Sequence, residues 1–324
     1  MGIIKDLWRR EANDWPLRAV GQTREITAYK RYVSVLLRRL CIADSRVGFS
    51  RFYGAVEFYG RIPHLSGQPA EFASVTSPGK LHDVTKRDLD NFALGTQRLL
   101  GPVPYVGGDL DIEIGLFAIK SQDLLQPYLD LLGELSRSAG LAYFAVTAPY
   151  VAAIQTGAAA LMRPEGSSSL EIGTMVTFDH VEEGTYFAAR LNPDDQDLAS
   201  FSVDDRGYLC DGKQRRITGV PYLVFSVTQT GVRDDWHQIP AIAVAYGKLM
   251  SAVRDQRSNN EVASYFEHFR RVVLTDPDLL GGHGRQVAAW VHAQVAEARG
   301  ATLTSRRVTG PALPALSALQ LSPL

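Results

Sequence analysis

Three carboxylates recur at alternate positions, Asp109, Asp111 and Glu113. On a β-strand that spacing puts side chains on one face, and clustered carboxylates are what a hard cation such as calcium takes. The glycines and loop carbonyls that complete a calcium cage are not evident around them. The expectation is therefore the solvated face of a half-exposed strand, with no tightly bound metal. Asp194-Asp195, Asp204-Asp205 and Asp211 form a second acidic group and read as turns between strands. Arg233-Asp234-Asp235-Trp236-His237 is the most enzyme-like string, because an acid beside a histidine suits general acid–base work. Yet an apolar helical stripe begins at Ile239, Asp is a favoured N-cap residue, and Pro240 suits a first helical turn. Asp234 or Asp235 is expected to cap that helix, and His237 is expected to take no part in catalysis.

The seven histidines are scattered and form no HxH, HExxH or Cys/His ligand spacing. The two cysteines, Cys41 and Cys210, sit among strand-like residues and read as small buried hydrophobes. Gly281-Gly282-His283-Gly284 lies between helices with no strand before it, so it is not a phosphate loop. No nucleotide-binding or nucleophile-elbow motif is present. The pairs Arg38-Arg39, Arg215-Arg216, Arg270-Arg271 and Arg306-Arg307 are able to bind phosphate only if the fold brings them together. No catalytic or cofactor-binding residue is assigned.

The elements that would position these residues are organised around Gly101–Leu135. Gly107-Gly108-Asp109 is a turn, and Leu110 to Leu116 alternates apolar and polar residues as a strand with one buried face does. Leu124, Leu125, Tyr128, Leu131, Leu132 and Leu135 recur at helical spacing and would pack on the sheet. Further strands are read at 31–44, at 49–60 with a break at Gly54, at 71–76, and at 92–105 stopped by Pro102 and Pro104. Residues 170–178 and 185–191 read as a strand pair around a turn at Glu182-Glu183-Gly184. Strands at 201–210 and 221–232 follow, and from Asp234 the pattern turns helical, with stripes from Ile239, from Val262 and over Arg285–Arg299.

The chain has 324 residues and is 45% apolar, enough for a sizeable core. A net charge of −1 argues against whole-protein attraction to nucleic acid or to an anionic membrane. The first residues carry no long apolar run, so no secretory signal is expected. Residues 3–15 suit a short amphipathic helix, too short on its apolar face for firm membrane binding.

KRYVSV at 30–35, FYG at 52–54, GPVPYVGGDLDIEIGLF at 101–117, PYLDLL at 127–132 and the stretch from 234 to 240 resemble a group of uncharacterised bacterial proteins. The order of elements also resembles β-sandwich modules of the C2 kind, with helices added. No function comes with either resemblance. The expected fold is α+β: a mostly antiparallel, C2-like β-sandwich of about seven to nine strands. The expected division is an N-terminal helix and lead-in at 1–29, the sandwich at 30–233 with a helical insertion at 122–162, packed helices at 234–300 and a flexible tail at 301–324. The leading function is a non-catalytic interaction or regulatory module of a bacterial cytosolic system, working on a protein partner. The alternatives are a hydrolase whose carboxylates converge only in the fold and a peripheral membrane-binding C2-like protein.

Overall fold

The computed structural model describes residues 15, 17–43, 46–47, 50–51, 53–75, 91–92, 97–119, 168–191 and 200–299. The expected N-terminal helix at 3–15, the helical insertion with Leu131, and the tail at 301–324 lie essentially outside them.

The protein is α+β, with two antiparallel sheets packed face to face. In the larger sheet β1 (Arg18–Glu25), β11 (Glu182–Ala189), β14 (Tyr222–Thr230) and β2 (Tyr32–Cys41) lie side by side in that order. Both β7 (Asn91–Phe92) and β8 (Gln97–Pro104) pair with the far edge of β2. The smaller sheet runs β10 (Ser168–Phe178), β9 (Leu110–Ile119), β5 (Tyr53–Ile62), β6 (Ala70–Val75). A small ladder joins β3 (Arg46–Val47) to β4 (Ser50–Arg51).

Period-two alternation builds the core between the sheets. Val33, Val35 and Leu37 of β2 and Leu223, Phe225 and Val227 of β14 meet Val56 and Phe58 of β5 and Ile112, Ile114 and Leu116 of β9 in one buried cluster. Each such side chain contributes about 1.5–3 kcal/mol on burial. Gly54 marks a close approach, as its place in a strand suggests: a Cβ there would overlap the Leu40 side chain.

Four elements differ from the sequence reading. The strand at 97–104 runs through Pro102 to Pro104 instead of stopping. It is an edge strand, and Gly101-Pro102 falls where its register against β2 shifts, so the missing N–H interrupts no regular ladder. Residues 170–178 and 182–189 are not a hairpin. β10 pairs with β9, β11 pairs with β1 and β14, and the chain crosses between sheets at Asp179-His180-Val181. The stretch 201–210 is a small hairpin of β12 (Ser202–Val203) and β13 (Leu209–Cys210). Asp204 Oδ1 accepts the N–H groups of Arg206 and Tyr208 and closes its turn. Arg18–Glu25, read as lead-in, is strand β1.

Three helices follow among the described residues: α1 (Pro240–Arg254), α2 (Asn259–Thr275) and α3 (Gly281–Ala298). Pro240 occupies the first turn of α1 as expected. Ser258 and Glu261 form a reciprocal capping box at the start of α2. The glycines at 281–284 lie inside α3 instead of before it. Leu249, Phe269, Val287 and Val291 form the buried seam of the bundle, and Tyr32 of β2 belongs to the same cluster. No described helix is long and apolar enough to cross a membrane.

Candidate functional site

The outward face of the larger sheet is covered at both ends, and two groups of polar and charged residues gather there. At one end the bundle sits over Tyr32. The Tyr32 hydroxyl accepts the Leu280 N–H at 2.8 Å and donates to His283 Nδ1 at 3.0 Å. The Arg233 N–H reaches the same Nδ1 at 3.3 Å. Both bonds need Nδ1 unprotonated, which assigns the proton of the neutral ring to Nε2. Burial, then the Arg233 charge, hold the His283 pKa down to about 4. Beside it, Asp235 Oδ1 accepts Arg233 Nε at 2.6 Å and Oδ2 accepts Arg98 Nη1 at 3.2 Å. Arg233 also reaches the Asp278 carbonyl, and His64 Nε2 lies 3.4 Å from Asp278 Oδ1.

The expected helix cap is thus corrected. The residue before α1 is Ile239, with no side-chain cap bond, and Asp235 makes none at the short 3-10 turn Trp236–Gln238. A buried carboxylate between two guanidiniums gains more there than from capping a single N–H. Asp234 is exposed, and Trp236 packs against Tyr246, Phe269 and Trp290. Asp235 is buried, with its carboxylate taken up by Arg233 and Arg98, and His237 stands half-buried with its ring against Trp236. Tyr32→Phe is expected to cost about 1–3 kcal/mol, because it strands the buried Leu280 N–H and leaves His283 Nδ1 only the longer bond from the Arg233 N–H. A urea titration reads this, and an unchanged midpoint would show that Tyr32 ties nothing together.

At the other end, residues 200–220 form a flap whose Phe201 and Leu209 pack on Cys41, Phe187, Tyr222 and Val224. Both cysteines are buried and free, as expected. Two of the arginine pairs meet here. Arg39, 1% exposed, lays its guanidinium 3.5 Å over the Tyr208 ring, and Arg216 lies 3.9 Å over the same ring. Both are cation–π contacts. Arg39 Nε and Nη2 donate to the Arg206 carbonyl, while Nη1 is buried with no partner among the described residues. Arg216 Nε and Nη2 bond Asp204 Oδ2, and Arg215 Nε and Nη2 bond Asp211 Oδ2. The acidic residues 204 and 211 are turn residues, as read, and each also anchors a guanidinium. Against this flap lies an open depression of about 800 Å3 lined by Lys213, Arg215, Arg216, Leu191, Ile217 and Val220, among others.

The three carboxylates singled out for metal lie along β9. Asp109 is exposed in the turn before the strand, Asp111 accepts the Thr177 hydroxyl at 2.8 Å, and Glu113 stands on the next outward rung, paired with Tyr59 and Met175. Among the described residues no three His, Cys, Asp or Glu side chains group as metal ligands do.

The sequence reading passed over Glu57. It lies on the outward face of β5, yet it is only 6% exposed and its Oε2 has no hydrogen-bond partner among the described residues. Across the sheet its rung continues into Gly115 and then Gly173, neither of which carries a side chain. Burial, then the Glu113 charge, push its pKa up to about 8. Glu57 falls within the strand read at 49–60, but nothing in that pattern signals burial of a strand's outer face. No family model matches the chain, and no curated protein or solved structure matches it.

Proposed function

We propose that the protein is a non-catalytic interaction or regulatory module, C2-like in its sandwich, which works on a protein partner in a bacterial cytosol. One observation carries this reading: in the most enzyme-like string, Arg233 to His237, the buried Asp235 carboxylate is held by Arg233 and by Arg98 of the sandwich, so its acid is committed to joining the helices to the sandwich. A sandwich and a bundle locked by a buried ion network make a rigid body suited to presenting surfaces. The test is reciprocal co-purification from the native host with the tagged full-length chain. Recovery of the same protein in both directions supports the module. Turnover of a hydrolase substrate without any stable partner would overturn it.

A hydrolase is the second reading, supported by Glu57 and Glu113 on adjacent strands. Their environments push one carboxyl up to about 8, the usual way an acid is kept protonated at neutral pH. Loss of any such turnover in Glu57→Gln, at unchanged folding, would establish it.

A further inference from the structure

We infer that the flap at 200–220 binds an acidic peptide segment of the protein partner, an inference that rests on the interaction reading above. The depression on its surface is lined by three cations, Lys213, Arg215 and Arg216; Asp211 pairs with Arg215 and Asp204 with Arg216, which leaves an excess of one positive charge.

The two arginines are held in place before any ligand arrives. Arg215 is gripped by Asp211 through Nε and Nη2 at 2.9 and 2.7 Å. Arg216 is gripped by Asp204 at 3.1 and 2.9 Å and lies over Tyr208. Each grip uses one edge of the guanidinium and leaves Nη1 without a bond among the described residues. Lys213 has no ion pair among those residues. Groups ordered in advance lose less freedom when they bind, so more of their attraction appears as affinity.

The lining also selects the kind of anion. Ile217 and Val220 are partly buried against the flap core and border the cations with apolar surface. A free phosphate would use only the cations, and a flat anionic bilayer fits a concave site poorly. A peptide with an apolar side chain flanked by acidic ones uses both parts. Acidic segments are also compatible with the many exposed, unstructured partner segments that bind through charge and one apolar anchor.

The probe is the fluorescein-labelled peptide Glu-Glu-Leu-Glu-Glu, titrated against the full-length protein and read by anisotropy. Saturable binding is expected, weakening as salt rises, and lost when glutamine replaces every glutamate in the peptide. Lys213→Glu is expected to weaken binding by about tenfold or more, with the melting temperature unchanged because the side chain is exposed and unpaired. Arg215→Gln gives a second variant with the same expected direction. Absence of saturable binding, or binding indifferent to both substitutions, overturns the inference. So does binding to phosphatidylserine vesicles without binding to the peptide, which would assign the surface to lipid. Co-purification with Lys213→Glu separates the two levels. A partner recovered as well as by the wild-type chain sinks the flap site alone, while no partner with the wild-type chain sinks the interaction reading and the flap site with it.

Discussion

Asp235→Ala is expected to lower the folding free energy by about 3–5 kcal/mol, the usual cost of removing one member of a buried ion network. Asp235 is 5% exposed, and its two oxygens hold Arg233 at 2.6 Å and Arg98 at 3.2 Å. Removing the carboxylate leaves the Arg233 guanidinium, itself almost enclosed, with only the more distant Asp278 nearby at 3.7 Å. Arg98 lies on β8 and Arg233 at the approach to the bundle, so the loss falls on the contact between sandwich and helices. Amide exchange should quicken first across α1 to α3. Asp234→Ala, at an exposed position, should change stability by less than about 0.5 kcal/mol. The contrast decides between two physical accounts of the same dipeptide. If Asp234 proved the costlier residue, capping of the helix would be restored and the junction account lost.

That dipeptide shows where the amino-acid pattern stops being informative. Residues 234 and 235 differ only in which way the chain carries them, and capping rules act on near neighbours. The partner that settles the matter, Arg98, comes from a strand more than a hundred residues earlier. Local pattern did reveal most of the elements themselves. The alternation of Tyr32–Cys41, Leu110–Ile119 and Tyr222–Thr230 was legible, and the stripe from Ile239 marks α1. The Ser258-to-Glu261 capping box is a sequence signature of a helix start that the reading of a stripe from Val262 leaves unused.

Alternation names the faces of a strand but not what covers them. On β2 the outward residues Tyr32, Ser34 and Arg39 are as buried as the inward ones, because the bundle and the flap lie over that side. Nor does alternation name the neighbouring strand. β10 and β11 follow each other closely in the chain and still belong to opposite sheets. The candidate sites inherit both limits. Arg38-Arg39 and Arg215-Arg216 were visible as pairs, but only the fold of the flap brings Arg39 and Arg216 to one tyrosine ring.

Glu57→Gln is expected to raise stability at pH 8 by on the order of 4 kcal/mol, since each unit of pKa shift is worth roughly 1.4 kcal/mol. The folded-state pKa is about 8 and the unfolded value 4.5. Between those values the folded protein keeps a proton that the unfolded chain releases, so stability falls as pH rises. His283 acts in the opposite sense. Its pKa is about 4 when folded and 6.5 when unfolded, so stability from this group is complete above 6.5 and is lost as pH falls toward 4. In the shared window, from about 4.5 to 6.5, the two slopes offset each other, and the wild-type chain should show a plateau with a decline from 6.5 to 8. Glutamine keeps the shape of the side chain and cannot ionise. The variant should therefore lose the alkaline decline and instead gain stability with pH up to about 6.5. Urea midpoints measured from pH 4 to 9 on both chains read this directly, and the difference between the curves isolates Glu57 from groups common to both. Parallel curves would mean that Glu57 is ionised and solvated in the folded protein. The buried acid, and with it the hydrolase reading built on its raised pKa, would then have no basis.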